Sequence, residues 1–405
     1  MTSGPYTLRD HLTAQARRFE KKTFLEHGAK HYSYRAIDDS TDHVATALGK
    51  LGLRRGERVA IVLPARPELV FFLWGAPKVG LVPVPIDPSL ERGEIASRIE
   101  QAQVSALVTE RVFADLAPAS TRHVILVDEE SAAPDFAKFV HGPALDFWPD
   151  LDPGDPAALV FTQGRDGRRR GVLLSHGNLI ANATQLLQPL RVNATDRFFH
   201  ALPLASSSGL VLQLLLPWTA GACAVLPDPV RSGIHAELER HRITVVVGSP
   251  VLYGDLARTE RKVARASSAL RLAACIGGAV GDAVQRSFEE RYDALIVEGY
   301  TLTEATCVAC ANPYTGVRKS GSLGLPLPGQ ECRIEPGTGS APDARAVGEI
   351  LLRGPNVMKG YFDDPGATHA ALRDGWLHTG DLGYVDSDGY YHLASSDSAC
   401  LEPRS

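Results

Sequence analysis

Short runs that are apolar throughout alternate along this chain with stretches whose apolar positions recur every third or fourth residue. The runs Arg58-Val-Ala-Ile-Val-Leu63, Val82-Pro-Val-Pro-Ile86, Ala106-Leu-Val-Thr109 and Val124-Ile-Leu-Val127 predict strands buried on both faces. The patterns over Glu68–Val79 and Ile95–Gln103 between them predict amphipathic helices. Ahead of these lie a helix over Leu8–Arg18, a hairpin joining Thr23–Glu26 to His31–Ser33, and a helix over Tyr34–Leu51 that Ser33 is placed to cap. Residues 129–156 are rich in Ala, Asp and Pro with little periodicity and read as a connection. The rhythm then resumes, with strands at Ala157–Phe161, Ala222–Leu226, Thr244–Val247, Leu272–Ile276 and Leu295–Val297. Helices are predicted over Leu210–Trp218, Ile234–His241, Val251–Ala257 and Asp282–Arg291.

From Ser320 onward the texture changes to short alternating strands separated by Gly, Pro and Asp turns: Glu331–Ile334, Gly348–Arg353, Gly383–Asp386 and Tyr390–Leu393. The fold class expected is α/β. Two stacked α/β subdomains with mostly parallel sheets (1–155 and 156–318) precede a small antiparallel β-barrel-like subdomain (319–405). With 405 residues, 44% of them hydrophobic and 22% charged, the chain is long enough for such units. A net charge of −5 argues against a general nucleic-acid binder. No apolar span reaches membrane length and no charged-then-apolar leader opens the chain, so no membrane association and a cytoplasmic location are expected. Cys223, Cys275, Cys307, Cys310, Cys332 and Cys400 form no disulfide framework, and Cys307-Val-Ala-Cys310 lacks the second pair of a zinc site.

Candidate chemistry begins at Phe161-Thr-Gln-Gly-Arg-Asp-Gly-Arg-Arg-Arg-Gly-Val172, followed by a helical pattern from Asn178. Strand, glycine-rich turn and helix in that order would gather backbone N–H groups around a spot suited to phosphate oxygens. Gly164, Gly167 and Gly171 permit a tight turn, and Arg165, Arg168, Arg169 and Arg170 add positive charge against Asp166. No Gly-Lys-Ser/Thr closes the loop, so it is not a Walker A motif, and alone it reads equally as a basic surface turn. Ile276-Gly-Gly-Ala-Val280 ends a strand in small residues, which suits either close ligand approach or a tight turn. Glu298-Gly-Tyr-Thr-Leu-Thr-Glu304 follows a buried strand and offers an aromatic ring, hydroxyls and a carboxylate, or merely caps the next element. Asp374-Gly-Trp-Leu-His-Thr-Gly-Asp381 ends in a carboxylate that could accept ribose hydroxyls or close an Asx-turn.

Together and in this order the stretches resemble the adenylate-forming superfamily of acyl-CoA synthetases, peptide-synthetase adenylation domains and luciferases. Leu63-Pro-Ala-Arg-Pro-Glu-Leu69, Ser249-Pro-Val-Leu-Tyr253 and above all Gly348-Glu-Ile-Leu-Leu-Arg-Gly-Pro-Asn-Val-Met-Lys-Gly-Tyr361 extend the likeness over nearly the whole chain. The resemblance implies that Thr162, Gly164, Gly167 and Gly171 hold the ATP phosphates, that Tyr300 stacks on adenine, and that Gly278 and Ala279 wall the nucleotide off from the acyl group. It implies phosphate contact for Thr303, Mg²⁺ for Glu304 and ribose for Asp381, with Arg170 keeping the charge of the family's loop lysine. The implied reaction is attack of a substrate carboxylate on the α-phosphate, then transfer of the acyl group to the thiol of coenzyme A or of a carrier protein.

Departures from the pattern cluster at this chemistry. Gln163, Arg165 and Asp166 replace hydroxyl donors, and Asp166 brings negative charge towards a triphosphate. Ala205 and Ser206 replace a Phe-His pair, Glu298 stands where Asn is frequent, and Thr301 replaces a glycine. After Leu393 the hinge pattern is lost, with Ser396 at the family's arginine position, and the C-terminal lid domain with its catalytic lysine does not follow. The chain is therefore read as a naturally short protein. Two activities remain open: an acid-activating ligase, with the missing domain supplied in trans, or a repurposed homologue that no longer uses ATP and transforms an acyl substrate by acyl transfer or cyclisation. In the second case His176, His200 and His378 are candidate acid–base groups. A purely scaffolding role is a third reading.

Overall fold

Two capped helices and a hairpin set the N-terminal end. Helix α1 (Leu8–Phe19) starts at a reciprocal capping box between Thr7 and Asp10. The hairpin of β1 (Thr23–His27) and β2 (Lys30–Ser33) leads into α2 (Tyr34–Lys50), and Ser33 caps α2 by accepting from the Ala36 N–H at 3.1 Å. The computed structural model describes residues 6–127, 148–164, 167–226, 234–258, 269–336 and 347–394, excepting the His200 side chain. Most of the connection expected over 129–156, and the chain end carrying Ser396, lie outside these residues.

Strands β3 (Arg58–Val62), β4 (Val82–Ile86), β5 (Ala106–Thr109) and β6 (His123–Leu126) form an all-parallel sheet in the order β4-β3-β5-β6, with α3 (Pro67–Lys78) and α4 (Arg92–Gln101) as crossovers. Pro83 and Pro85 cannot donate to a ladder, and their strand is accordingly an edge of this sheet.

The second half supplies β7 (Pro156–Gln163), β8 (Arg169–Ser175), α5 (His176–Leu186), β9 (Arg197–His200), α6 (Leu216–Ala220), β10 (Cys223–Leu226), α7 (Ile234–Arg240), β11 (Val245–Gly248), α8 (Pro250–Arg258), β12 (Leu272–Cys275), α9 (Asp282–Tyr292), β13 (Leu295–Thr301), β14 (Val308–Ala311) and β15 (Leu325–Pro326). Among the described residues a nine-stranded sheet runs β15-β14-β13-β12-β11-β9-β10-β1-β2. Its centre, from β1 through β13, is parallel, and antiparallel strands close both ends. The N-terminal hairpin thus belongs to the sheet of the second half. The helix expected over Leu210–Trp218 is instead a π-helical turn, Gly209–Leu215, leading into α6. Pro217 has no N–H to give the preceding turn, which interrupts ordinary helical winding there, and a Cβ on Gly209 would sit 2.4 Å from the Leu204 carbonyl oxygen, so only glycine fits where the turn begins.

The remaining strands are β16 (Glu331–Pro336), β17 (Gly348–Arg353), β18 (Gly360–Tyr361), β19 (Leu372–Arg373), β20 (Trp376–Val385) and β21 (Tyr391–Leu393), with α10 (Pro365–Ala371) before β19. Strands β16-β17-β20-β19, with β21 on β20, make a curled antiparallel half-barrel sheet. Strand β18 joins β8 and β7 in a three-stranded sheet.

Aromatic side chains fix where these layers meet. Trp218 packs 4.7 Å from Phe24, 4.4 Å from Tyr34 and 5.0 Å from Trp74, ring centroid to ring centroid. The Tyr34 hydroxyl donates to the carbonyls of Pro217 (3.0 Å) and Ala222 (2.7 Å), so the ring is buried without an orphaned polar atom. Lys78 is fully buried where α3 crosses α2, its ammonium 2.6 Å from carboxylate oxygens of both Asp38 and Asp42. Removing that ammonium would strand two carboxylates. Lys78→Ala is expected to lower stability by about 3 kcal/mol in a urea titration; a loss within the error of the titration would show that the pair is not structural.

Candidate functional site

Strand β7 and strand β8 pair antiparallel from Pro156↔Ser175 to Gln163↔Arg169, so the glycine-rich loop is the turn of a β-hairpin. This corrects the expected strand–turn–helix order: α5 begins at His176, at the far end of β8, and its N-terminus does not face the loop. The arginine-rich run conceals a strand because it alternates faces while carrying almost no apolar signal until Val172. Gly164 donates to the Arg168 carbonyl (2.8 Å) and Gly167 to the Gly164 carbonyl (3.0 Å), and Gly167 adopts φ 74°, the left-handed geometry that its lack of a side chain permits. Gly171 is not in the turn. It lies within β8 opposite Phe161, where a Cβ would approach Leu159 Cδ2 to 3.0 Å, so its small size serves packing. Thr162 is buried and in register with Arg170. Arg165 and Asp166, including the opposing charge expected of Asp166, lie outside the described residues.

Parallel pairing of β12 with β13, through Cys275↔Glu298, carries the segments that leave both strands to the same edge of the sheet. Gly277 (φ 84°) and Gly281 (φ 81°) bracket the turn that holds Gly278 and Ala279. Glu298, only 6% exposed, accepts from the Val280 N–H at 2.8 Å and from the Gly321 N–H at 2.9 Å, tying this turn to the segment that enters β15. Burial pushes the Glu298 carboxyl above the usual glutamate range against the opposing pull of those two donors. The sequence marked Glu298 only as a departure; nothing local signals that it bridges two loops.

A bulge between Tyr300 and Thr301 bends β13 as it meets β14, and Thr303 and Glu304 follow on a 3₁₀ turn over Thr303–Ala305. The Tyr300 hydroxyl donates to a carboxylate oxygen of Asp381 on β20. Both side chains are largely buried, so two of the residues singled out in sequence meet although they lie 81 positions apart. Asp381 is held in turn: its N–H donates to Thr379 Oγ1 at 3.0 Å, and the preceding Gly380 N–H donates to Glu349 Oε1 at 2.7 Å. His378 Nδ1 lies 3.0 Å from Glu349 Oε2 and 2.8 Å from the Arg373 guanidinium, which makes it part of this brace.

A second convergence surrounds Glu304. The Tyr361 hydroxyl donates to Glu304 Oε1 at 2.9 Å, and the Met358 N–H donates to the Glu304 carbonyl at 2.8 Å. Tyr361 pairs with Val172 on β8, and the Arg170 guanidinium lies 5.6 Å from the Tyr361 ring centre and 3.4 Å from Asp364 Oδ2. Thr162, Thr303, Glu304 and Arg170 therefore cluster through β7, β8 and the 3₁₀ turn packed on β7. One Glu304 carboxylate oxygen is taken by Tyr361; a hard carboxylate oxygen is the donor type Mg²⁺ prefers. In the sequence Tyr361 only closes the Gly348–Tyr361 family motif, and its contact with Glu304, 57 positions away, has no local signal. His176 stands apart from this cluster: its Nδ1 accepts from the Leu8 N–H at 3.1 Å, and burial lowers it to about 4. The described part of His200 is its backbone, at the carboxyl end of β9 beside Val247.

A family profile described as "AMP-binding enzyme" matches residues 12–362. The chain belongs to that family. A long-chain-fatty-acid–CoA ligase of Bacillus subtilis is 30% identical over 96% of this chain and 76% of its own length. A feruloyl-CoA synthase of an Amycolatopsis species is 31% identical over 94% of this chain and 76% of its own. Among solved structures, ATP-bound MatB of Rhodopseudomonas palustris is 27% identical and superimposes with a TM-score of 0.85 over 96% of this chain and 78% of its own. The superposition on MatB bears out the α/β architecture with its curled antiparallel sheet. Among the described residues no helix is long and apolar enough to cross a membrane.

The two-loop bridge gives a test within this AMP-binding fold. Glu298→Gln turns an NH₂ towards one of the two N–H donors, and the variant is expected to lose about 1–3 kcal/mol of stability at neutral pH. The native carboxyl holds its proton to higher pH than the unfolded one, so the wild-type contribution declines as pH rises from the usual glutamate range through the elevated native value. Urea titrations across that interval should show this slope in the wild type and its loss in Glu298→Gln; identical slopes would contradict the assignment.

Proposed function

We propose that the cleft binds ATP and a carboxylic acid and joins them as an acyl-AMP, which then passes to the thiol of coenzyme A or of a carrier protein. The observation that carries this reading is the double convergence: Tyr300 on Asp381, and Glu304 with Tyr361 and Arg170 beside the glycine hairpin. Family membership supports the use of ATP. In this reading the Tyr300 ring stacks on adenine, Asp381 accepts the ribose hydroxyls, and Gly278 and Ala279 let the nucleotide approach the wall turn. Thr162, Gly164, Gly167 and Thr303 hold phosphate oxygens, and Gly171 keeps β8 seated beneath them. Arg170 supplies a fixed positive charge. Mg²⁺, held by Glu304, neutralises phosphate charge when bound. A carboxylate oxygen of the acid attacks the α-phosphorus and pyrophosphate leaves, a displacement that demands alignment and charge neutralisation more than covalent help from the protein. The acceptor thiol is that of coenzyme A or of a carrier protein, and the cytoplasm is the compartment in which these substrates meet.

One observation favours the alternative of a repurposed homologue that does without ATP. Arg169 is engaged with Glu94 at 2.8 Å and Arg170 with Asp364, so loop charge that could serve a triphosphate is already partnered. Its acyl substrate would be presented on a carrier arm and transferred or cyclised.

Pyrophosphate exchange separates the two. With Mg-ATP and a panel of fatty, aryl and dicarboxylic acids, with and without a homologous C-terminal domain, the wild type is expected to exchange label for at least one acid. Glu304→Gln should reduce that rate about 100-fold, and Asp381→Ala should raise the KM for ATP by about 10-fold or more. Folded protein that exchanges with no acid under either condition would contradict the ligase reading and leave the alternative.

A further inference from the structure

Cys310 and Cys332 lie far enough apart in sequence to show no motif, yet their sulfurs are 3.6 Å apart. Cys310 is fully buried on β14, and Cys332 is partly exposed on β16. The two strands belong to different sheets, and each backbone is fixed by its own ladder. Cys310 is in register with Tyr300 and Pro326, and Cys332 with Leu352. The Cys332 carbonyl also accepts from the Tyr391 hydroxyl at 2.5 Å. Closing the sulfurs to the roughly 2.05 Å of a disulfide needs them to move together from that distance. The chain's other described cysteines, Cys223, Cys275 and Cys307, are buried.

We infer that Cys310 and Cys332 form an oxidisable dithiol, a modification site at which a peroxide makes a disulfide between the two sheets. The Cys332 thiolate attacks one peroxide oxygen, the O–O bond breaks, and the products are a sulfenic acid on Cys332 and hydroxide. The Cys310 thiol gives its proton to that hydroxide, its sulfur attacks the Cys332 sulfur, and the S–O bond breaks to release the second oxygen as water once it is protonated from solvent. Two thiols are oxidised by two electrons and the peroxide is reduced to two waters. The order follows exposure: the hydrogen bond with Cys332 and burial hold the Cys310 thiol well above its usual range, so the first nucleophile is Cys332. The bond would tie the strand beside Tyr300 to the sheet that carries Asp381. Its formation is independent of whether the cleft uses ATP.

The full chain is exposed to hydrogen peroxide, its remaining thiols are alkylated under denaturing conditions, and it is mapped by mass spectrometry without reduction. The expected product is one cross-linked peptide pair joining Cys310 to Cys332, reversed by dithiothreitol, with a higher thermal midpoint before reduction than after. Cys332→Ser should abolish the cross-link, and Cys310→Ala should accumulate a sulfenic acid at Cys332 that dimedone traps. Should Cys310→Ala fail to fold, the wild-type map decides alone. Cys310 remaining alkylatable while Cys332 is over-oxidised, a cross-link through other cysteines, or no oxidation of either residue would overturn the proposal.

Discussion

Parallel pairing of β12 with β13 is the constraint on which the candidate site rests. In a parallel sheet both strands run out at one edge, so the glycine turn after Cys275 and the Tyr300–Glu304 segment must emerge side by side. The buried Glu298 carboxylate converts that adjacency into a fixed distance by accepting N–H groups from Val280, in the glycine turn, and from Gly321. A buried carboxylate with two donors holds position well and tolerates little change, because an acceptor lost there leaves a donor unsatisfied. The half-barrel sheet adds to the candidate site by bringing Asp381 against Tyr300, with Glu349 bracing the Gly380 backbone.

Charged groups around the hairpin already have partners. Around Glu304, Tyr361 and Arg170, charged and phenolic groups are interlinked, and Arg170 is balanced by Asp364. Along β8, Arg169 is drawn towards Glu94. A triphosphate entering here would compete with these carboxylates for the guanidinium groups, so the hairpin's value as a phosphate site depends on how readily they exchange partners.

Much of this was legible in the sequence. Buried runs such as Val82–Ile86 and capped helices such as Tyr34–Lys50 announce themselves through period and end residues, and the Gly348–Tyr361 run announces the family. What stayed hidden depends on contacts between distant segments. The strand Arg169–Ser175 is concealed by three consecutive arginines, and the π turn at Gly209–Leu215 by a helical pattern that Pro217 prevents from winding normally. The bridging role of Glu298 and the Tyr361–Glu304 hydrogen bond come from pairs whose separation no local pattern encodes.

Calorimetric titration of the folded protein with Mg-ATP asks directly whether Tyr300, Asp381 and Glu304 line a nucleotide site, as we propose. Saturable binding at one site per chain is expected, weakened at least about 10-fold in Asp381→Ala. Absence of saturable heat from folded wild-type protein, or equal affinity in Asp381→Ala, would contradict it.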